Sequence, residues 1–184
     1  MDFYSVIEQR KSVKKFNGIK VKDSSLDRMI NAAMMSPSWK NLSSYKFIIV
    51  EDSNKKSKIA DSIKNKTNEA SNAINEAPIL VVFVGNPELS ETVEGKDMYL
   101  LDAAIAMEHL VLAATEEGYG TCWMASFEEN KVKEALDIPD EIRVIAMTPV
   151  GKPEEVKEHY PKKDVRDYVY LNNWNNAYTE NIHH

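Results

Sequence analysis

Four cations and a hydroxyl crowd into six residues near the start of the chain: Arg10, Lys11, Ser12, Lys14 and Lys15. Arg meets two oxygens of a phosphate monoester at once, Lys adds compact charge, and Ser adds a short neutral hydrogen bond, so the cluster suits a terminal phosphate. A purely local reading competes with this one, because cations also gather at the C-terminus of a helix, where the dipole favours them. A second polar stretch, Ser36-Pro37-Ser38-Trp39-Lys40-Asn41, follows a helical pattern as an irregular loop. It is either an ordinary turn or a ligand loop offering an indole edge and an amide.

The other reactive residue types lead nowhere. His109 shares a polar stripe with Asp102 and Glu116, and no nucleophile or second ligand is spaced to meet it, so packing is its expected role. Cys122 lies in an apolar stretch with no flanking base and reads as inert packing. His183 and His184 resemble the end of a purification tag and are set aside. G-x-S-x-G, H-E-x-x-H and Walker patterns do not occur, which removes the common hydrolase and NTPase readings.

Composition narrows the class further. A chain of 184 residues that is 43% hydrophobic buries a real core and is expected to form one domain. A formal charge of -6 and a pI near 5.3 repel polyanions, so nucleic acid is not an expected partner. A single cysteine excludes an internal disulfide, a zinc ribbon or a cysteine-ligated iron–sulfur cluster, and a cytoplasmic setting fits. The start Met1-Asp2-Phe3-Tyr4-Ser5 is unlike a signal peptide, and the apolar run Leu100 to Ala114 is short and broken by Asp102, Glu108 and His109, so no membrane association is expected.

Elements able to position the two polar clusters follow from periodicity. Asp2 is a good N-cap for a helix reaching about Arg10, with Phe3, Val6 and Ile7 on one face. A second helix is predicted from Asp23 to Met35 behind a capping Asp or Ser, and Pro37 stops it. Tyr45 to Val50 reads as a strand and Ser53 to Lys64 as a helix, while Lys66 to Glu76 is polar enough for a surface helix or lid. Ile79 to Val84 is the strongest strand and is expected at the centre of a sheet. Lys96 to Glu117 reads as a helix buried on several sides, Cys122-Trp123-Met124 as a short strand, Glu128 to Leu136 as a helix and Val144 to Val150 as the last strand. The alternation suits an α+β sheet with helices on its faces; a doubly wound nucleotide-binding fold is rejected because no strand leads into a G-x-G-x-x-G turn. Beyond Gly151 the chain is polar and aromatic by turns, with Tyr160, Tyr168, Tyr170, Trp174 and Tyr178. Such a tail is expected to wrap its own core or a partner's.

In order and spacing, five segments resemble the nitroreductase family of flavin enzymes along the whole chain. They are Arg10-Lys11-Ser12-Val13-Lys14-Lys15-Phe16, the loop from Ser36 to Phe47, Glu76-Ala77-Pro78, the run from Gly118 to Phe127, and Pro149-Val150-Gly151-Lys152-Pro153. The resemblance implies a central, mostly antiparallel sheet flanked by helices, in one domain spanning 1–184 whose extension 152–184 wraps the partner subunit of an intertwined homodimer. It implies FMN as cofactor, with Arg10 and Ser12 on the phosphate, Lys162 or Lys163 assisting, and Lys11 along the ribityl chain or phosphate. Lys14 would sit by the pyrimidine edge, where a cation tunes the flavin. Pro37, Ser38, Trp39 and Asn41 would reach the flavin, some from the partner, and the backbone at Met124 and Ala125 would approach its ring. The implied activity is ping-pong: hydride passes from NADH or NADPH to flavin N5 and on to a nitroaromatic, quinone or other electron-poor acceptor. Relatives of the same fold that dehalogenate substrates or fragment the flavin, and a protein that only stores or senses FMN, are the alternatives.

The chain departs from the family pattern at three points. Ser43 and Ser44-Tyr45 stand where Gln and Pro-Trp are common, Lys162-Lys163 stands where an Arg is usual, and the Asn that meets the flavin before the apolar strand corresponds to Asn68 or Asn72.

Overall fold

The computed structural model describes residues 1–64, 67–154 and 163–178. Its frame is a four-stranded sheet in the order β1-β2-β6-β5, every neighbouring pair antiparallel: β1 is Tyr45–Val50, β2 Ile79–Gly85, β5 Gly120–Thr121 and β6 Arg143–Gly151. All seven residues of β2 are buried. Their alternation sends Leu80, Val82 and Val84 into one apolar cluster and Ile79, Val81 and Phe83 into another, so both faces of the sheet are covered. Between Phe83 and Val84 the pairing slips by one residue, because Val84 pairs with Val144 and Phe83 with Ala146. This bulge lets Val144 and Met147, three residues apart, share one face.

On the first face pack α3 (Ser53–Ala60), α4 (Glu69–Glu76) and α6 (Glu129–Leu136); on the second, α2 (Asp23–Met34) and α5 (Met98–Glu116). The lead helix α1 (Phe3–Gln9) lies against α5, and a small hairpin, β3 (Thr92–Val93) with β4 (Lys96–Asp97), precedes α5. The α+β sheet with flanking helices is thus the observed architecture, and its antiparallel character matches the family resemblance.

Local expectations fare unevenly. Asp2 caps α1, accepting from the Ser5 amide at 3.1 Å, but only Val6 of its apolar side is buried while Phe3 and Ile7 face outward. Helix α2 begins behind Lys22 with no side-chain cap. The segment expected as a surface helix or lid is an amphipathic helix packed on the sheet: α4 buries Ala70, Ala73 and Ile74 while Glu69, Asn72, Asn75 and Glu76 stay exposed. Helix α3 stops at Ala60, and the expected strand at Cys122 is reduced to β5 plus one bridge from Met124 to Met147. Residues Lys96 and Asp97 belong to the hairpin, so α5 starts at Met98.

Helix α5 is long and apolar enough to cross a membrane by length and composition. In the fold it is a core helix instead, with Ala103, Ala106, Met107, Leu110 and Ala114 closed against α2 and the sheet. His109 serves that packing, its Nδ1 lying 3.1 Å from the Ala32 carbonyl of α2. The lone buried cation of α3 is also satisfied, since Lys56 donates to the Ala77 carbonyl at the end of α4, while burial pushes its ammonium down from the usual lysine value.

Helices α2 and α5 are clamped at one end by Arg28, which donates through Nε and Nη2 to the two oxygens of Glu117, both at 2.5 Å, with Ser25 adding a hydrogen bond of 2.9 Å. These donors, the Arg28 hydrogen bond first, hold the Glu117 carboxyl at about 2, below its ordinary 4.5. A carboxylate depressed in the fold stabilises it above the unfolded value and loses that contribution as pH falls through the folded one. Thermal melts should therefore show a loss of stability between pH 4.5 and about 2 that is smaller in Glu117→Gln than in the parent. Equal acid sensitivity in both would show that the clamp contributes nothing.

Candidate functional site

The cationic segment leaves α1 at Arg10, where the backbone turns extended, and runs as a short added strand along the outer edge of β5. Val13 donates to the Thr121 carbonyl at 2.8 Å, Ser12 forms a parallel bridge with Thr121, and Phe16 bridges Pro153. Val13 and Phe16, three apart on this irregular stretch, go into the core, while Ser12 stays exposed and Lys14 half-exposed. Two glycines make the close approach possible. A Cβ at Gly120 would fall 2.6 Å from Val13 Cγ2, and one at Gly151 would fall 2.7 Å from Pro78 and 3.0 Å from Phe16. The Gly118 to Phe127 and Pro149 to Pro153 segments thus have a shared structural task, to seat the cationic strand.

Carboxylates surround this strand. Lys14 Nζ lies 2.7 Å from Glu69 in the first turn of α4. Arg10 stands near Glu108 of α5, whose carboxyl is pushed up by burial while the Arg10 charge works against the shift. Asn68 is the residue before α4 and Asn72 lies one turn along it, both exposed. Met124 is buried and exchanges both backbone hydrogen bonds with Met147 at 2.9 Å, three residues along β6 from the Thr121 partner Val150. Ala125, next to it, is exposed. Arg10, Lys11, Ser12, Lys14, Met124, Ala125 and the Asn pair therefore lie along the β5 side of the sheet.

The Pro37 loop does not. It leads into Tyr45, which aligns through Gly85 with Arg143, whereas the cationic strand aligns through Thr121 with Val150. Seven residues along the sheet, roughly 23 Å, and four strand spacings, about 19 Å, separate them. The two clusters occupy diagonal corners, on the order of 30 Å apart by those spacings, and do not meet within one chain.

At its own corner the loop is tightly built. Lys40, Asn41 and Ser43 all have positive φ, 49°, 58° and 47°. For residues with a Cβ this conformation costs roughly 1 kcal/mol or more each, least for Asn. Asp102, 2% exposed on α5, offsets part of that cost: one oxygen accepts from the Trp39 amide at 2.7 Å and the other from Ser44 Oγ at 3.2 Å. Hydrogen bonds to an ionised group are worth roughly 1.5–3 kcal/mol. Ser38 Oγ accepts from the Ser43 amide at 3.0 Å, and Glu91, just before the hairpin, accepts from Trp39 Nε1 at 3.0 Å and Lys40 Nζ at 2.6 Å. The two lysine and indole hydrogen bonds hold the Glu91 carboxyl below its ordinary value. Pro37, Ser38 and Trp39 with Met98, Leu101, Asp102 and Ile105 line an open hollow of about 230 Å³.

Lys163 is exposed and lies over the Tyr168 ring at 4.6 Å, within the tail; Lys162 lies outside the described residues. Cys122 is buried, its amide donating to Thr148 Oγ1 at 3.0 Å. Among the described residues no cluster of His, Cys, Asp or Glu has metal-ligand spacing. The residues missed from sequence are acidic ones. Asp102 left a trace, as a charge inside an otherwise apolar helix, but Glu69 and Glu91 look like any surface glutamate until the chain folds.

Residues 7–152 match the Nitroreductase family. A solved nitroreductase family protein from Clostridium novyi NT is 52% identical, covers 97% of each chain and superposes with a TM-score of 0.83. An FMN-dependent nitroreductase from Clostridium difficile R20291 is 25% identical, over 93% of this chain and 99% of that one, with a TM-score of 0.80. An NADPH-dependent oxidoreductase of Staphylococcus epidermidis is 25% identical over 178 residues, 86% of this chain and 68% of its own. The chain belongs to the nitroreductase family.

The glycine floor makes a direct prediction. Gly120→Ala must displace the stiff Val13 side chain and is expected to cost about 1–3 kcal/mol in chemical denaturation, with faster amide exchange at Val13. Unchanged stability and exchange would show that the cationic strand is not seated on this glycine.

Proposed function

We propose that this nitroreductase-family oxidoreductase is an FMN-dependent NAD(P)H reductase of nitroaromatic, quinone or similar electron-poor acceptors, acting as a cytoplasmic homodimer. One observation carries the reading: a cation-and-hydroxyl strand is pinned to the sheet edge with its polar side chains outward, while the polar Pro37 loop is built at the diagonal corner. Two half-sites too far apart to meet in one chain come together if a second copy supplies the missing half.

The donor set fits FMN. Arg10 and Ser12 offer a bidentate cation and a hydroxyl to its phosphate, with Lys11 and, from the tail, Lys162 or Lys163 adding charge. Lys14 holds an ammonium for the pyrimidine edge, where positive charge favours the reduced cofactor. Asn68 or Asn72 and the backbone at Met124 and Ala125 complete one half of the site, and Pro37, Ser38, Trp39 and Asn41 of the other chain the second. Bound there, FMN would supply the two-electron hydride chemistry that couples NADH or NADPH to the acceptor in a ping-pong cycle. The chain's own work is to bind, orient and exclude water; the reading requires no protein nucleophile.

A homodimer also explains surfaces that the monomer leaves open. Phe3, Tyr4 and Ile7 of α1 and Leu101 and Ile105 of α5 are exposed on helices that pack together. In the tail, the described backbone hydrogen bonds of 163–178 run within that segment, and Tyr168, Leu171 and Trp174 remain exposed. Wrapped on a partner subunit, the 152–184 extension would cover such side chains and complete the single 1–184 domain.

The purified protein should be yellow or become so with FMN, and anaerobic NADH or NADPH should bleach the flavin band, with a nitroaromatic restoring it. A chain that cannot be loaded with FMN overturns the reading, and a yellow protein that neither nucleotide bleaches is a flavin store instead. Lys14→Met should keep most of its FMN yet be reduced roughly tenfold or more slowly; loss of FMN with unchanged reduction of the remainder would remove Lys14 from this role.

A further inference from the structure

Asp102 is the most deeply buried carboxylate among the described residues, and both of its oxygens are committed to the Pro37 loop. Nothing in the core requires a charge there: the same helix closes its neighbours Ala103, Ala106 and Met107 with apolar contacts alone. What does require it is the loop, whose backbone passes through three left-handed residues, Lys40, Asn41 and Ser43, between Trp39 and Ser44. The carboxylate grips the loop on both sides of that stretch, by the Trp39 amide before it and the Ser44 hydroxyl after it. Glu91 grips only the side chains of Trp39 and Lys40, from an exposed position. Buried and doubly hydrogen-bonded, Asp102 is the stronger determinant of the loop's shape.

We propose that Asp102 is a positioning residue that acts in trans: it holds the loop of its own chain in the shape that presents Ser38 and Asn41 to the FMN bound by the cationic strand of the partner subunit. The proposal rests on the dimeric FMN reading above. It assigns to Asp102 an effect on a cofactor that its own chain's Arg10 and Ser12 do not hold.

The test is complementation between two defective chains. Asp102→Ala impairs the loop, and the double variant R10A/S12A impairs the phosphate anchor. Each alone should bind FMN about tenfold or more weakly than the parent by fluorescence titration, while Asp102→Asn, whose amide can accept from Trp39 and donate to Ser44, should retain parental affinity. When the D102A and R10A/S12A chains are co-expressed with different tags and the mixed dimer is isolated, one of its two sites combines an intact loop with an intact anchor. That dimer should bind one FMN per two chains with parental affinity.

A mixed dimer with no tight site overturns the trans assignment, because residues acting on the same chain's cofactor would leave both sites defective. Parental affinity in D102A itself overturns the positioning role. If D102A does not fold, Asp102→Ser carries the same test, and failure of both to fold makes Asp102 a folding determinant and also overturns the proposal. The parent chain titrated in parallel separates these outcomes from failure of the FMN reading, which would appear as no binding in the parent.

Discussion

A strand with no exposed face dictates the rest of this molecule. Because β2 sends apolar side chains alternately to both sides, helices must cover both, and the two edges of a narrow sheet become the places where polar backbone and polar side chains can reach the surface. One edge, at β5, is extended by the cationic strand; the other, at β1, is entered through the Pro37 loop. The central strand thus sets the separation between the two polar clusters, although it contributes no residue to either.

That separation has a consequence for how such a protein works. One chain of this shape presents two polar clusters at opposite corners and exposed apolar side chains on α1 and α5. In the dimer we propose, association of two copies would bury the apolar surface and complete the sites in one step, so assembly and cofactor binding would draw on the same contacts.

The two corners reach their unusual backbone in different ways. The cationic strand uses removal: glycines at 120 and 151 clear space so that Val13 and Phe16 can sink against the sheet. The loop uses addition, holding Lys40 and Ser43 in a left-handed conformation through a buried carboxylate. The glycine solution needs no partner and is rigid wherever the sheet is folded. The carboxylate solution ties the loop to helix α5, so the loop's shape depends on the element that also carries the exposed apolar face.

Periodicity alone determined β2, β6, α2 and most of α5, because burial on a regular element leaves a regular mark in the sequence. The Arg10 to Ser12 cluster was legible as a phosphate-type cation set, but that it runs as a strand anchored by Val13 and Phe16 was not, because their spacing of three marks no regular element. Tertiary structure alone decided that one face of α4 packs on the sheet, since small residues such as Ala70 and Ala73 signal close packing only when a surface is there to receive them. It also decided which acids matter: Glu69, Glu91, Asp102 and Glu117 meet partners 51 to 92 residues away in the chain, which no local pattern encodes. The cationic motif was therefore readable as chemistry, while its separation from the Pro37 loop was not, because the distance between them is a property of the sheet.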